Sequence, residues 1–599
     1  MKIKTCIVSI VALLSFQLVF SQTPKPIGTN LNELTYYSTE LVFTDNFKQS
    51  APWISSNADG SGDWDTKISI PLNSKGYPLE IPYNDGVHSP QKIKTLVAAL
   101  GDNTIRGVYR LKVSGNGKIQ LSGGASGIYI CPVDTLVNVK ADVILNIIQS
   151  IKSDPINDIK FILPKYVNNY NTSTYTTEFL DFIADFQMLR FMDWTKTNGT
   201  DIVTWSERST YPYYTQHQKT GVAWEEVVAL ANHTKKDIWI NIPHKADDSY
   251  ITNLATLLKS TLTSQCKIYL EYSNEVWNGA FVQHHECAEM GKNLGYTGQE
   301  WERAWKVTAK RSADIFRIFE NVFGSDSQLV KVIPSQAGAD GWLSNQLVTY
   351  FKDTVYNPTG VKANAIAIAP YFGGGIADQI VTEKLVSTIT TSEILQRMQS
   401  SLKEAYARME GSKKTANSHG LDLICYEGGQ HLTATGSNVN NTELTAKLIA
   451  VNHDPGMESL YCQYFDNWYK NYGSMFCHFT SHGMYSKWGS WGVKESMFDT
   501  LSPKYLALQR CVFTTSSVSV AENETAESSI TIHPNPTSGS ITFSVQANVR
   551  LTNAAGLVLA EKKNTTTIDL SNQSVGVYFL TLTDNNGQVL RHSKIIKEN

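Results

Sequence analysis

The sequence predicts an α/β protein: a (β/α)8 TIM barrel preceded by a β-sandwich-like module and followed by a small C-terminal β-sandwich. Three observations carry this. Short strand-like runs punctuated by turn residues fill residues 30–155, strand-like and helix-like runs alternate through 156–513, and a polar stretch at 514–529 precedes a dense set of short strands at 530–599. With 599 residues, 42% hydrophobic and 18% charged, the chain has enough apolar material for several folded units and too little charge for a disordered one.

Residues 1–21 come first. Lys2 and Lys4, an apolar run from Ile7 to Phe20 broken by Ser9, Ser15 and Gln17, and a small residue at Ser21 give the order of a secretory signal peptide. The run is short of the roughly 20 residues a membrane span needs. No other stretch approaches that length, so no membrane span is expected. Of eight cysteines, Cys6 lies in the leader, and the odd number left is too sparse for a disulfide scaffold. Cys477, His478 and His482 sit close in sequence and read as packing residues rather than metal ligands.

In the N-terminal module, Gly107–Val113 and Lys118–Leu121 read as strands around a Ser114–Gly117 turn. Barrel strands are expected to start near 159, 188, 237, 267, 329, 365, 421 and 475, a set of eight that fits the fold with insertions. The first, Ile159–Leu163, fits equally as the last strand of the module. Between 299 and 323, Trp301, Trp305, Phe316, Phe319 and Phe323 recur at helical spacing and should line a buried face. Residues 514–529 carry no large aromatic and read as a linker. Seven short strands are then expected between Ile530 and Ile596.

That tail resembles the C-terminal sorting domain of the bacterial type IX secretion system. The residues are Pro534-Asn535-Pro536-Thr537 followed by Gly539, then Gly576-Val577-Tyr578-Phe579-Leu580, then a basic end with Lys594 and Lys597. The resemblance implies that the secretion machinery is a partner and that the protein is secreted or anchored at the outer-membrane surface.

Charge narrows the function. Lys and Arg number 52 against 55 Asp and Glu, which leaves no basic footprint for nucleic acid or an anionic membrane. Chemistry in such barrels sits at the C-terminal strand ends. Two of those ends carry carboxylates behind apolar runs: Tyr272-Ser273-Asn274-Glu275-Val276 at the fourth and Cys425-Tyr426-Glu427-Gly428 at the seventh. Burial there should raise one pKa while a hydrogen-bonding neighbour keeps the other group ionised. Paired carboxyls of this kind suit glycosidic bond cleavage, one protonating the leaving oxygen and the other attacking carbon or activating water.

At the Asn274-Glu275 step and Glu427 the chain is similar to the clan A glycoside hydrolases, which retain anomeric configuration. The resemblance implies Glu275 as acid/base, Glu427 as nucleophile, Asn274 on the sugar 2-hydroxyl, and cleavage of β-glycosidic bonds in a polysaccharide without metal or cofactor. It also points to Arg190 at the second strand end, with Trp194 beyond it, to His244 at the third and Tyr371 at the sixth. After the eighth it points to an aromatic platform at Trp488 or Trp491. The clan's Asn-Glu-Pro is Asn274-Glu275-Val276 here, which leaves the sugar open and keeps a second reading, a non-catalytic, cellulose-binding-like surface protein. A third reading, a metal-dependent hydrolase, would use His244, Asp247 and Asp248. The His284-His285-Glu286 run reads as solvated loop.

Overall fold

Strand β1 (Ile27–Asn30) leads into an insertion built from β2 (Ile54–Asn57), β3 (Gln91–Ala98), β4 (Gly107–Gly123), β5 (Gly127–Val139), β6 (Val143–Ser150) and β7 (Asn157–Ile162). Then follow β8 (Met188–Arg190), β9 (Asp237–Ile242), β10 (Ile268–Tyr272), β11 (Leu329–Pro334), β12 (Ala365–Ile368), β13 (Asp422–Cys425) and β14 (Phe476–His478). In this computed structural model the described residues are 24–513 except 326, and 530–598 except 554–557 and 585–588. The signal peptide expected at 1–21 and the linker expected at 514–529 lie outside them.

Strands β1 and β8 to β14 close a parallel barrel of eight, with β1 hydrogen-bonded to β8 on one side and β14 on the other. Seven starts match the sequence pattern to within a residue; the first does not. Ile159–Leu163 belongs to the module: β7 runs antiparallel to β4, with Arg110 opposite Ile162 and Leu111 opposite Phe161. The barrel's first strand is Ile27-Gly-Thr-Asn30, whose single large apolar side chain leaves no hydrophobic run to announce it. The β module is thus spliced between β1 and the helix Thr177–Ile183 that packs behind it.

The module is a six-stranded antiparallel sheet in the order β2-β3-β6-β4-β5, with β7 on β4. Its own apolar core holds Tyr109, Leu111, Ile119, Leu145 and Phe161. The expected turn at 114–117 is a bulge inside the 17-residue strand β4, where the register with β5 shifts between Val113 and Gly117. Glycine is required there: Gly115 has φ +83°, and a Cβ on Gly117 would lie 2.1 Å from the Gln149 carbonyl oxygen.

Behind the barrel, the 24-residue helix Glu300–Phe323 buries Trp305, Phe316 and Phe319. Its half-buried Trp301 packs on Trp305 and Trp342 at 4.5 and 5.4 Å between centroids. A disulfide, Cys462–Cys511, ties the helix Pro455–Asn467 to the last barrel helix, Pro503–Cys511. Cys131, Cys266, Cys287, Cys425 and Cys477 are buried free thiols.

The C-terminal unit contains β15 (Ile532–His533), β16 (Ser540–Asn553), β17 (Val558–Asp569), β18 (Gly576–Thr583) and β19 (Val589–Lys597). The expected seven short strands become five among the described residues. Runs separated by Gln546–Asn548 and by Lys562–Thr566 fuse into β16 and β17, which pair across register shifts with Asn564 at φ +51°. No helix among the described residues is long and apolar enough to cross a membrane.

The approach of β1 to β8 depends on Gly28, where a Cβ would come within 2.6 Å of Met188 Cε and 2.8 Å of its carbonyl oxygen. Gly28→Ala is expected to cost about 1–3 kcal/mol by overpacking, read as a lower denaturant midpoint. Gly279→Ala, with nothing within 4 Å of the added Cβ, should change it by less than about 0.5 kcal/mol.

Candidate active site

Alternation along the barrel strands sends every second side chain inward. The lower inward layer is apolar and includes Met188, Trp239, Tyr269, Ile424 and Cys477. Two residues on, toward the C-terminal ends, the same inward direction carries Arg190, Asn241, Glu271 and Tyr426. A dry layer therefore gives way to a polar one within a single strand repeat.

Arg190 organises that layer and is fully buried. Its Nη1 donates to Glu427 Oε1 (2.8 Å) and Asn30 Oδ1 (2.9 Å); its Nη2 donates to Glu271 Oε2 (3.0 Å) and Asn274 Oδ1 (2.9 Å). The guanidinium lies over the rings of Tyr426 (5.1 Å) and Trp239 (5.6 Å). Burial opposes its charge, but the two carboxylates outweigh burial and hold its pKa above the ordinary value. Glu271 Oε2 also accepts from Trp239 Nε1 (2.7 Å) and Asn241 Nδ2 (2.8 Å).

The two carboxyls singled out in the sequence come into the same electrostatic environment. Glu427 follows β13 and receives Arg190 on Oε1 and the Tyr371 hydroxyl on Oε2 (3.1 Å). Burial pushes its pKa up and Arg190 offsets only part of this, leaving it above the ordinary carboxylate value. Glu275 follows β10 and accepts from the Tyr426 hydroxyl on Oε1 and Asn278 Nδ2 on Oε2, both at 2.9 Å. Among the described residues no cation pairs with it, and burial, followed by the charge of Glu427, lifts its pKa to about 7. The loop that carries it is strained, with Ser273 at φ +55° and Glu275 at φ +46°.

The remaining candidates separate. Tyr371 joins Glu427, as above. Asn274 is held between Arg190 and Asn198, to whose Oδ1 its Nδ2 donates (3.0 Å). His244 is fully buried and pairs through Nε2 with Glu286, which Lys245 also holds. Trp194 is 1% exposed and packs on Phe191 (5.4 Å), so it offers no face to a ligand. Trp488 is 66% exposed. Trp491 packs beside Tyr371 (6.1 Å) and His431 (4.8 Å).

His244, Asp247 and Asp248 do not converge: Asp247 caps a helix through Tyr250 N, and Asp248 pairs with Arg311 (2.9 Å). His284, His285 and Glu300 group within 4.8 Å, but His284 bonds the Val276 carbonyl, while His285 bonds Glu300 and the Gly279 carbonyl. Cys477, His478 and His482 point to separate partners, Asn30, Tyr461 and Glu40.

Sequence reasoning passed over Glu271, Tyr426, Trp239 and Asn30. The signal for Glu271 was a charge inside the run Ile-Tyr-Leu-Glu-Tyr, two positions after an inward aromatic. Asp193, half-buried after β8, is another: burial first and Glu427 second raise its pKa to about 7.

Residues 531–598 match the family model described as the secretion system C-terminal sorting domain. The chain carries a type IX sorting tail and is exported by that route to the cell surface or beyond. The sequence matches no curated protein. Among solved structures, it is similar to a GH51 arabinofuranosidase from Xanthomonas axonopodis pv. citri at 12% identity and TM-score 0.34, covering 70% of this chain and 75% of that one. It is also similar to an endo-β-1,4-mannanase from Thermotoga petrophila at 10% identity and TM-score 0.30, covering 71% and 94%.

Two outcomes are expected. Arg190→Met strands Glu271 and Glu427 as buried, unpaired carboxylates and should cost about 3–5 kcal/mol in denaturant unfolding, with part recovered when Glu271→Gln is added. For Glu275, the folded pKa is raised, so its contribution is fully present below the unfolded value near 4.5 and is lost as pH rises through about 7. Glu275→Gln, which cannot ionise, should therefore gain up to about 3 kcal/mol on wild type at pH 8.5 and little at pH 4.

Proposed function

We propose that the chain is an exported, retaining glycoside hydrolase that cleaves β-glycosidic bonds in a polysaccharide by double displacement. The observation that carries this reading is the opposed treatment of two buried carboxyls at the ends of β10 and β13. Glu427, fixed by the Arg190 fork and the Tyr371 hydroxyl, is set to stay ionised and attack the anomeric carbon. Glu275, without a cation and raised to about 7, is set to protonate the leaving oxygen and then to deprotonate the water that releases the sugar. Tyr426 and Asn278 hold its two oxygens in place, while Asn30 shares the Arg190 prong that holds Glu427 and Glu271 fixes the other prong, so that the nucleophile's position is determined two contacts away. No step in this scheme uses His244 or Trp194.

Glu427→Gln is expected to lower kcat by about 10⁴-fold or more on whichever glycan the wild type hydrolyses, with binding kept. An active Glu427→Gln variant would falsify the assignment, and binding by a wild type that never turns over would favour a carbohydrate-binding surface protein. The rate should fall on acidification as Glu427 takes up a proton, and fall again above about pH 7 as Glu275 ionises. Asp193 titrates in the same range; loss of the alkaline limb in Glu275→Gln assigns that limb to the acid. Anomeric NMR during turnover should show the β product first.

A further inference from the structure

Past Glu275 the chain turns through residues 276–279 into the helix Val282–Asn293, whose first turn carries His284 and His285. The next helix, Glu300–Phe323, begins on Glu300. A ring nitrogen from each histidine and a carboxylate oxygen of Glu300 lie within 4.8 Å of one another. The two imidazoles stand nearly perpendicular, at 86° with their centroids 5.2 Å apart.

What the other ring nitrogens do matters more than the proximity. His284 is 6% exposed, its Nδ1 bonds the Val276 carbonyl (2.7 Å), and among the described residues nothing bonds its Nε2. A carbonyl only accepts, which puts the ring proton on Nδ1 and leaves a buried lone pair on Nε2. His285 bonds the Gly279 carbonyl through Nε2 (3.0 Å) and Glu300 Oε1 through Nδ1 (2.6 Å). With the Nε2 proton committed to Gly279, Nδ1 and the carboxylate are two electron-pair donors face to face, and an electrophile belongs between them. A backbone carbonyl on the far nitrogen is also what fixes the tautomer and aim of a metal-ligating histidine. Both rings have one. Among the described residues no lysine or arginine pairs with Glu300: Arg303 bonds the Ala288 and Gly298 carbonyls (3.3 and 2.6 Å), and Lys292 pairs with Glu289 (3.1 Å). The His285 and Glu300 side chains are 55% and 52% exposed, so an ion has a way in. The same exposure gives the two groups room to part until each can reach one metal at about 2.0–2.2 Å.

We infer that His284 Nε2, His285 Nδ1 and the Glu300 carboxylate bind one divalent transition-metal ion, with a further position open to water. Two imidazoles and a carboxylate suit zinc, whereas magnesium and calcium prefer all-oxygen sets. The ion takes no part in bond cleavage. Through the two carbonyls bonded to its ligand rings it clasps both ends of residues 276–279, the segment in which Asn278 donates to Glu275 Oε2. Metal binding here therefore stiffens the loop that carries the proposed acid. The site stands apart from the glycosidase reading, since a chain that hydrolyses nothing can still bind the ion.

The test uses untagged full-length protein stripped of metal with EDTA and dialysed, and Zn²⁺ alone as the probe, at about pH 7.5 where neutral imidazole is available as a ligand. Competition with a chromophoric chelator should reveal one tight equivalent. His285→Ala and Glu300→Gln, both at half-exposed side chains, should each weaken it about tenfold or more, and His88→Ala, an exposed histidine of the β module, should leave it unchanged. Amide hydrogen exchange over residues 276–285 should slow when zinc is added to the wild type and not when it is added to Glu300→Gln. No tight equivalent, or one that survives both ligand substitutions, would overturn the site. An equivalent that needs both ligands but leaves exchange over 276–279 unchanged would keep the site and overturn the clasp on the loop.

Discussion

Arg190 is the group on which the rest of the site depends. A guanidinium with no exposure to water is a large desolvation cost, met here by four oxygen acceptors and two aromatic faces. Its rigid fork imposes geometry as well as charge: Asn30 and Glu427 share one prong, Glu271 and Asn274 the other. Those partners come from β1, from β10 and from the loops after β10 and β13, so a single side chain fixes several strand ends relative to one another. Lysine, with a point charge on a flexible stem, has no equivalent fork.

The consequence is an asymmetry between two glutamates that are chemically identical in the unfolded chain. One lies on the cation and the other beyond it, held only by the neutral donors Tyr426 and Asn278. Since an ionised Glu427 itself raises the pKa of Glu275, the two differ more together than either would alone. The left-handed backbone at Ser273 and Glu275 turns the chain out of the strand direction where the Glu275 carboxyl meets the Tyr426 hydroxyl.

Seven barrel strands and the pair Glu275 and Glu427 were legible because each follows an apolar run, and a run of that kind is what a doubly covered parallel strand leaves in sequence. Strand β1 was not legible, since Ile-Gly-Thr-Asn is buried by close approach to Met188 and by hydrogen bonds rather than by its own bulk. Arg190 and Tyr371 both reach Glu427 from their strand ends. Trp194 packs on Phe191 three residues before it, and His244 pairs with Glu286, a partner 42 residues on that no local pattern announces. The second carboxylate of the Arg190 fork, Glu271, was on view in the sequence, but only the inward parity of its strand shows that it faces the same cation.

The module spliced behind β1 is joined to the barrel by two peptide crossings instead of one. Its Asn103 side chain donates to Met484 in the loop after β14 (3.5 Å). Material added at a terminus hangs from a single hinge and can be shed by one proteolytic cut, whereas a doubly moored insertion stays in place after either crossing is severed. For a protein carried to the outside of a cell, where proteases are abundant, the inserted sheet is thereby held to the barrel even after one of its crossings is cut.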